Sequence, residues 1–308
     1  MARIYIIGID LGGTNVKLGL LDAQYTIKSR AVLSTRDYPK LKELVSAIAS
    51  CAEKMVSDSA LKKSDVLGVG IGVPGPTDAK NGIVHFLPNI PGWKNVPLKR
   101  ILQNKLKLPV FVDNDAKLMT LAEYYLGYGR KFSNVLCVTL GTGVGGGIVL
   151  GKRLYRGQDN AAGEIGHVPL NQFGPGCSCG GIACIERYVG NAQVMAQAKR
   201  LLKRRISLVE LSLLAKKKNR LALKVWDDFA SNLGATLAGV VNLLNLDAII
   251  IGGGVADAGK FLFDSIEKTV KKRSMSVQGK RVKILKAKLG NDAGIKGAAL
   301  LVREGLHK

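Results

Sequence analysis

Long hydrophobic runs are absent from this sequence. No apolar stretch reaches the ~18 residues that a membrane-spanning helix needs. The first eight residues also lack the long apolar core and the small-residue cleavage site of a signal peptide. We therefore expect a cytoplasmic protein with no membrane partner. Its 308 residues, 47% of them apolar, suffice for two compact domains with a sizeable core.

Acidic residues are scarce. The chain has 23 Asp and Glu against 46 Lys and Arg, which gives a net charge of +23. Such an excess makes nucleic acid the first partner to consider. The basic residues are nevertheless spread along the whole chain, and the densest groups, 203–205, 216–218 and 271–273, fall in helical-looking stretches typical of a solvated face. We therefore expect no specific nucleic-acid partner, only a general attraction for ATP and sugar phosphates.

The common nucleotide-binding fingerprints are missing as well. No Gly-Lys-Ser/Thr follows a glycine-rich loop, which excludes a Walker P-loop. A strand rather than a helix follows the glycine run at 141–147, which excludes a Rossmann fingerprint. Any nucleotide site must therefore be of another kind.

Two segments have the pattern of a β-hairpin with a glycine-rich turn. Residues 4–21 predict a strand, a turn at 12–13 and a second strand, and residues 134–150 repeat this pattern, with strands at 134–139 and 148–150 around a turn at 141–147. The weak internal repeat predicts two α/β halves. The remaining periodicity predicts helices at 40–58, 97–107, 116–127 and 294–302, and a helical region at about 185–243 that basic loops interrupt. It also predicts strands at 66–73, 110–112, 248–251 and 282–285.

The glycine-rich turns are candidate phosphate sites because glycine lets backbone N–H groups approach an anion closely. Gly12–Thr14 and Gly141–Gly143, the latter followed by 145–147, each offer such a turn, and Gly252–Gly254 leaves room for a flat ring. Asp10, at a strand end, can hold Mg²⁺ directly or through water. Each segment alone is equally an ordinary turn. Three of them at strand ends, with one acidic residue, indicate a nucleotide.

His167 and three cysteines form a second candidate site. Cys177, Cys179 and Cys184 follow His167 within one short stretch, and four nitrogen and sulfur ligands suit a closed tetrahedral zinc site. A cysteine pair with one remaining thiol, or plain buried cysteines, would also explain the spacing. A cytosolic location disfavours a disulfide.

Asp113 and Asp115 follow a short buried strand and precede a predicted helix. Either carboxylate can cap the helix. Alternatively, one of them, with Asp115 the better candidate, can accept the proton of a substrate hydroxyl, as carboxylates do in kinases. The residues alone leave both interpretations open.

Several motifs resemble a known family. The segments Ile9–Asn15, Leu140–Gly147 and Ile251–Gly254 resemble the two phosphate motifs and the adenosine motif of the actin/hexokinase/Hsp70 ATPase superfamily. Within it, Glu164–His167 followed by Cys177–Glu186 is similar to the ROK family of sugar kinases and repressors. The resemblance covers nearly the whole chain.

Two positions depart from the family pattern. Ala183 stands where the family usually has Gly, and a positive φ there would strain the backbone. Lys117 stands where the family often has a small polar residue, which puts the side-chain contacts at that position in doubt.

The resemblance implies a fold of two ribonuclease H-like α/β domains of the actin/hexokinase type, facing a cleft. Residues 1–115, with a C-terminal helix at 292–308 packed back on them, would form the smaller domain. Residues 116–291 would form the larger domain with a zinc-binding loop. ATP, Mg²⁺ and a structural Zn²⁺ are the implied cofactors, and a homodimer is the implied assembly.

The resemblance also implies roles for individual residues. Asp115 would be the general base. The sugar would be bound by Gly75, Asn89, Asn114, Asp115, Glu164, His167 and Glu186. ATP and Mg²⁺ would be bound by Asp10, Gly12, Gly13, Thr14, Lys17, Gly141, Thr142, Gly143, Gly253 and Gly254. Zinc would be held by His167, Cys177, Cys179 and Cys184.

The implied activity is ATP-dependent phosphorylation of a hexose. The segments 88–93 and 96–98 are glucokinase-like, which favours glucose as the substrate and glucose 6-phosphate as the product. A kinase for an N-acetylhexosamine, fructose, allose or mannose is the alternative. A sugar-responsive transcriptional regulator is disfavoured, because only nine residues precede Asp10 and leave no room for a helix-turn-helix domain.

Overall fold

The computed structural model describes residues 4–87, 90 and 92–306. Asn89, one of the sugar-binding residues inferred from the sequence, lies outside the described residues. The chain divides into two compact units. The first comprises the described parts of Met1–Ala122, Arg156–Ala162 and Asn291–Lys308, and the second comprises Glu123–Tyr155 and Gly163–Gly290.

Strands and helices alternate along the chain. The strands are β1 (Tyr5–Leu11), β2 (Asn15–Asp22), β3 (Ile27–Ser34), β4 (Val66–Val73), β5 (Thr77–Asp78), β6 (Ile83–Phe86), β7 (Lys94–Val96), β8 (Val110–Asn114), β9 (Val135–Leu140), β10 (Val144–Leu150), β11 (Arg153–Tyr155), β12 (Ala248–Gly252) and β13 (Lys283–Lys286). The helices are α1 (Leu41–Asp58), α2 (Leu98–Leu106), α3 (Asp115–Tyr125), α4 (Glu186–Val189), α5 (Asn191–Leu202), α6 (Leu208–Lys216), α7 (Arg220–Leu244), α8 (Lys260–Arg273), α9 (Ser276–Arg281) and α10 (Ala293–Leu306).

The first unit is built on a five-stranded sheet in the order β3-β2-β1-β4-β8. Strands β1, β2 and β3 are antiparallel neighbours, whereas β4 and β8 run parallel to β1. Alternating side chains of β1 enter two cores, because successive residues of a strand point to opposite faces. Ile7 and Ile9 lie in the core with α1 and α2, while Ile6 packs with Ile295 and Val302 of α10.

Helix α10 packs very closely on its sheet. A Cβ atom at Gly70 of β4 would lie 1.8 Å from the carbonyl oxygen of Ala298, and one at Gly8 of β1 would lie 2.2 Å from that of Ile295. No side chain fits at either strand position, so glycine is what allows the helix to reach the sheet.

The second unit repeats this sheet. Its order is β11-β10-β9-β12-β13, with β9, β10 and β11 antiparallel and β12 and β13 parallel to β9. Helix α7 is 25 residues long and is capped at its N-terminus by Asn219, whose side chain accepts from the N–H groups of Leu221 and Ala222. It buries Trp226 and Phe229 in the core. The predicted mixed α/β fold with an internal repeat is confirmed.

One part of the predicted hairpin at 134–150 is wrong. Strand β10 begins at Val144, so residues 145–147 lie within the strand rather than in the turn. A Cβ atom at Gly146 would lie 2.6 Å from Ile165 Cγ2 and 2.8 Å from the Gly163 carbonyl. This glycine therefore permits close packing and is not part of a phosphate cradle. In the described part of the chain, no helix combines the length and the apolar character needed to cross a membrane.

Candidate active site

The β1–β2 turn presents its backbone on a rigid support. The N–H of Gly12 donates to the Asn15 carbonyl at 2.9 Å, which makes the turn tight. Thr35, just after β3, braces it from behind, because its hydroxyl donates to the Gly13 carbonyl and its N–H donates to the Thr14 carbonyl, both at 2.9 Å. No local sequence motif marks Thr35, so its contact with the turn was not predicted.

Asp10 and Lys17 are opposite each other in the β1–β2 pair. Burial raises the pKa of Asp10, and the Lys17 ammonium partly offsets this increase. At Gly294 a Cβ atom would lie 2.6 Å from Asp10 Cγ, so the start of α10 also approaches this carboxylate. The arrangement sets a carboxylate and an ammonium group at the base of the turn, as a metal–phosphate site requires.

Asn114 and Asp115 form the junction between β8 and α3. Asn114, rather than Asp113 or Asp115, caps the helix: its Oδ1 accepts from the N–H groups of Ala116 at 3.1 Å and Lys117 at 3.2 Å. Its Nδ2 donates to the Gly75 carbonyl at 3.3 Å, which brings two of the predicted sugar residues together. Asp115 is half-buried in the first helical turn, and its Oδ1 accepts from the N–H of Ala116 at 2.8 Å.

A buried polar network lies behind this junction. Asp113 is fully buried, and its Oδ1 accepts from the Asn114 N–H at 2.8 Å and from Asn160 Nδ2 at 2.9 Å. Arg156 donates to Asp113 Oδ2 at 3.3 Å and to Glu304 at 2.9 Å. No sequence pattern predicted this network, because its side-chain to side-chain hydrogen bonds join residues 43 to 148 positions apart along the chain.

In the second unit, the turn between β9 and β10 is held by a carboxylate. The N–H of Gly141 donates to the Gly143 carbonyl at 3.0 Å, and the side chain of Thr142 is exposed. Glu186, the first residue of α4, accepts from the Val144 N–H at 2.8 Å. A Cβ atom at Gly143 would lie 2.3 Å from Glu186 Oε2, so glycine is needed there.

The glycines after β12 differ in what surrounds them. Gly253 has φ +85°, and a Cβ atom there would lie 2.1 Å from the Leu140 carbonyl, so its conformation and its packing both require glycine. A Cβ atom at Gly254 would meet no heavy atom within 4 Å. Gly254 is therefore the position at which the backbone is open to a ligand.

Glu164 and His167 lie at the two ends of a short 3₁₀ turn. The N–H of His167 donates to the Glu164 carbonyl at 3.0 Å, and a Cβ atom at Gly166 would lie 2.0 Å from the Val144 carbonyl. The turn is thus packed on the start of β10, where Glu186 also binds. Ile165 and Gly166 are buried, whereas the Glu164 side chain is exposed and accessible to a ligand.

The structure brings the four predicted zinc ligands together. One ligand atom from each of His167, Cys177, Cys179 and Cys184 lies within 4.8 Å of all the others. The Cys179 and Cys184 sulfurs are 3.6 Å apart, and the Cys177 sulfur lies 3.7 Å from His167 Nδ1. A tetrahedral zinc with bonds of about 2.0–2.3 Å needs ligand separations of roughly 3.5–3.8 Å, so the set fits zinc. All three cysteines are free thiols.

Ala183, one of the departures from the family pattern, has φ +56°. It is fully buried, and its N–H donates to the Pro175 carbonyl at 2.9 Å. Alanine in this region of the backbone costs about 1–2 kcal/mol relative to the right-handed conformation. The loop that carries the cysteines therefore contains the strained position that the sequence comparison indicated.

Comparisons with known proteins agree on one family. A family model described as "ROK family" matches residues 6–305. The glucokinase of Streptomyces coelicolor is 34% identical over 316 aligned residues, which cover 97% of this chain and 97% of that protein. A putative xylose repressor from Caldicellulosiruptor is 30% identical over 96% of this chain and 77% of the repressor. The crystal structure of a ROK family glucokinase from Streptomyces griseus in complex with glucose and AMPPNP has a TM-score of 0.84 at 33% identity and covers 98% of this chain and 100% of that one.

Proposed function

This chain belongs to the ROK family, and we propose that it is an ATP-dependent glucokinase that forms glucose 6-phosphate. The observation that carries the proposal is the position of Asp115. It begins α3 beside Asn114, which is itself tied to Gly75, and the buried Asp113 supports this junction. A carboxylate held this rigidly is suited to accept a proton from a sugar hydroxyl.

In the proposed reaction, the glucose O6 oxygen attacks the γ-phosphorus of ATP in line. The O6–Pγ bond forms while the bond from Pγ to the bridging β,γ-oxygen breaks, and that electron pair leaves with ADP. The proton of the O6 hydroxyl passes to Asp115. Positioning and charge stabilisation supply most of the rate enhancement in such transfers, so the rigid support of Asp115 contributes to the rate in addition to its role as proton acceptor.

The nucleotide residues of the proposal lie in both units. In the first unit, the turn formed by Gly12 and Gly13, with Thr14 and Lys17, would bind phosphate oxygens, and Asp10 would hold Mg²⁺, which neutralises phosphate charge when it is bound. In the second unit, Gly141, Thr142 and Gly143 would bind phosphate. The adenosine would lie against Gly253 and Gly254, of which Gly254 has the open backbone. The domain division that we propose for this reaction is 1–115 with 292–308, and 116–291.

Seven residues are proposed to bind the sugar: Gly75, Asn89, Asn114, Asp115, Glu164, His167 and Glu186. The carboxylates and amides among them suit a sugar because groups of this kind can bind vicinal hydroxyls. The exposed side chain of Glu164 and the short turn that links it to His167 support this assignment. One oxygen of the Glu186 carboxylate accepts a hydrogen bond from the Val144 N–H. The other oxygen is proposed to bind the sugar.

Zinc has a structural role in the proposal. His167, Cys177, Cys179 and Cys184 hold it, and the closed set of four ligands leaves no coordination position for a reacting water. The protein is further proposed to act in the cytoplasm, in glycolysis, as a homodimer, without a specific nucleic-acid partner.

A coupled ADP-release assay over a hexose panel tests the function. The panel contains glucose, mannose, fructose, allose and two N-acetylhexosamines, and kcat/KM is measured for each with ATP. We expect the highest value for glucose. A higher value for another hexose would replace glucose in the proposal, and ADP release that no sugar accelerates would overturn it.

A further inference from the structure

Lys117 occupies an unusual place for a lysine. It lies in the first turn of α3, two residues after Asp115, and is only 2% exposed. A buried ammonium is costly, and the positive end of the helix dipole adds to the cost. Such a residue persists where specific partners compensate for it, and here its Nζ donates to the main-chain carbonyl of Asn160.

Asn160 belongs to a short segment, 156–162, that is part of the first unit although the chain on either side belongs to the second. The N–H of Ala162 donates to the Arg156 carbonyl at 3.0 Å, which closes the segment on itself. Asn160 has φ +57°, and its Nδ2 donates to Asp113 Oδ1 at 2.9 Å and to the Thr77 carbonyl at 3.3 Å. Segment 156–162 therefore contacts the β8–α3 junction at two points.

The second point is Arg156. Its guanidinium donates twice to Asp113 Oδ2 at 3.3 Å and once to Glu304 of α10 at 2.9 Å. Because Asp113 is fully buried, removing these donors would leave an uncompensated buried charge. Segment 156–162 is therefore held firmly against Asp113, and it can support the other residues of the β8–α3 junction.

These contacts close a ring. From Asp113 the ring passes to the Asn160 side chain, from the Asn160 carbonyl to the Lys117 ammonium, and back along the main chain through 114–116. We call Asp113, Lys117 and Asn160 the anchor ring, which Arg156 supports through its hydrogen bonds to Asp113. Asn114 and Asp115 lie on the stretch of main chain between Asp113 and Lys117. Both ends of the stretch that carries the proposed base are therefore fixed by hydrogen bonds to Asn160.

We infer that Lys117 is a positioning residue for phosphoryl transfer, holding Asp115 in its reactive place through Asn160. This inference rests on the proposed function, because it assumes that Asp115 is the base. A displacement of about 1 Å in a reacting group can cost on the order of 100-fold in rate. Lys117 is one of the two positions noted above as departures from the family pattern, and the Asn160 carbonyl is the partner that accommodates its ammonium group.

Two variants test the link from opposite sides. Lys117→Met removes the ammonium at similar side-chain length, and Asn160→Ala removes the bond to Asp113 while keeping the carbonyl. We expect each to lower kcat by about 10-fold or more, with KM for ATP within about twofold of the wild type. Because both break one ring, the double variant should lose little beyond the more damaging single one. Lys117→Arg, which restores a charged donor, should recover part of the rate.

The control is Lys105→Met, which removes an exposed lysine of α2 in the same unit and should leave kcat unchanged. Rates are measured well below the melting temperature, so that lower stability alone does not reduce kcat. If Lys117→Met does not fold, the kcat of Asn160→Ala alone decides whether the inference holds. A kcat within twofold of the wild type in the folded variants, or fully multiplicative losses in the double variant, would overturn the inference.

Amide hydrogen exchange separates this inference from the proposed function. In Lys117→Met, amides in 156–162 and 113–117 should exchange faster than in the wild type, while β9 and β10 stay unchanged. This holds whichever hexose the protein phosphorylates. Unchanged exchange in both segments would refute the anchor ring. A wild type that phosphorylates no hexose would refute the kinase assignment and with it the role in phosphoryl transfer, but it would leave the anchor ring itself standing.

Discussion

The two units share a sheet and differ in what supports their turns. Both sheets have three antiparallel strands followed by two parallel ones, and both begin with a hairpin whose turn contains glycine. In the first unit a neutral hydroxyl, that of Thr35, braces the Gly12–Thr14 turn. In the second unit the Glu186 carboxylate, 42 residues further along the chain, braces the turn at Gly141–Gly143.

This difference shows that the sheet determines where each glycine-containing turn lies, whereas the loops determine which residue supports it. Strand order and strand directions are the same in both units. The support of each turn comes from whichever segment passes nearby, and in the second unit that segment also carries the cysteine cluster. The repeated sheet therefore provides two equivalent positions, and different residues have specialised each one. Four changes would break or sharpen this comparison.

The largest effect is expected at Asp115, because the proposal gives the chemistry to the first unit. Asp115→Asn keeps the shape of the side chain but removes the proton acceptor, and kcat should fall by about 10²–10⁴-fold. Glucose affinity, measured by calorimetry, should change little. Asp58→Asn, at an exposed position at the end of α1, is the matched control. A variant with near-normal turnover would assign the base elsewhere.

The second effect is expected at the cysteine cluster, which the described residues contain only in the second unit. Cys184→Ser should reduce bound zinc from about one ion per chain to near zero, because a closed site needs all four ligands. Hydrogen exchange should accelerate first in 168–186. Cys51→Ser, on α1, should keep its zinc. Full zinc content in Cys184→Ser, measured by elemental analysis, would contradict the site.

The third effect contrasts two glycines of one turn. Gly143→Ala would place a methyl group 2.3 Å from Glu186 Oε2 and displace the carboxylate from the Val144 N–H, whereas Gly141→Ala would enter open space. We expect KM for ATP to rise roughly tenfold in the former, the cost of about one charge-assisted hydrogen bond, and to rise by a smaller factor in the latter, whose methyl group meets no protein atom. Equal changes in steady-state assays would mean that Glu186 does not support the turn.

The smallest effect is expected at Ala183. Ala183→Gly relieves the strain of the left-handed backbone, which raises the free energy of unfolding. The greater flexibility of the unfolded chain and the loss of a buried methyl group lower it. The net result should be a stabilisation of less than about 1 kcal/mol, measured by thermal unfolding of the zinc-loaded protein. Ala196→Gly, on exposed helix α5, should instead destabilise by about 1 kcal/mol. A clear loss of stability in Ala183→Gly would show that packing outweighs strain.

The features that could be predicted from sequence are those encoded by neighbouring residues. The hairpins followed from β-branched runs around Gly12–Gly13, the zinc ligands from their spacing, and the strain at Ala183 from one substitution in a motif. The bond from Asn114 to the first turn of α3 is equally local, but the cap was expected at Asp113 or Asp115, because the order of adjacent polar residues alone does not show which one caps the helix.

The remaining features depend on residues far apart in the chain. The role of Glu186 in supporting Val144 required knowing which segment passes behind the turn. Residues 145–147 were assigned to the turn because glycine suits turns, whereas Gly146 is glycine because Ile165 packs against it. Lys117 could be recognised as unusual, but Asn160, the partner that explains it, lies 43 residues away.

The contact of α10 with Gly8 and Gly70 has a consequence for how the protein is made. Residues of β1 leave the ribosome long before Ile295 and Ala298, and at about 5–20 residues per second the delay is on the order of tens of seconds. All segments of the second unit are synthesised within that interval. The half that begins the chain is therefore the last to be completed, with the face of its sheet around Ile6 and Leu21 exposed to the cell until α10 arrives.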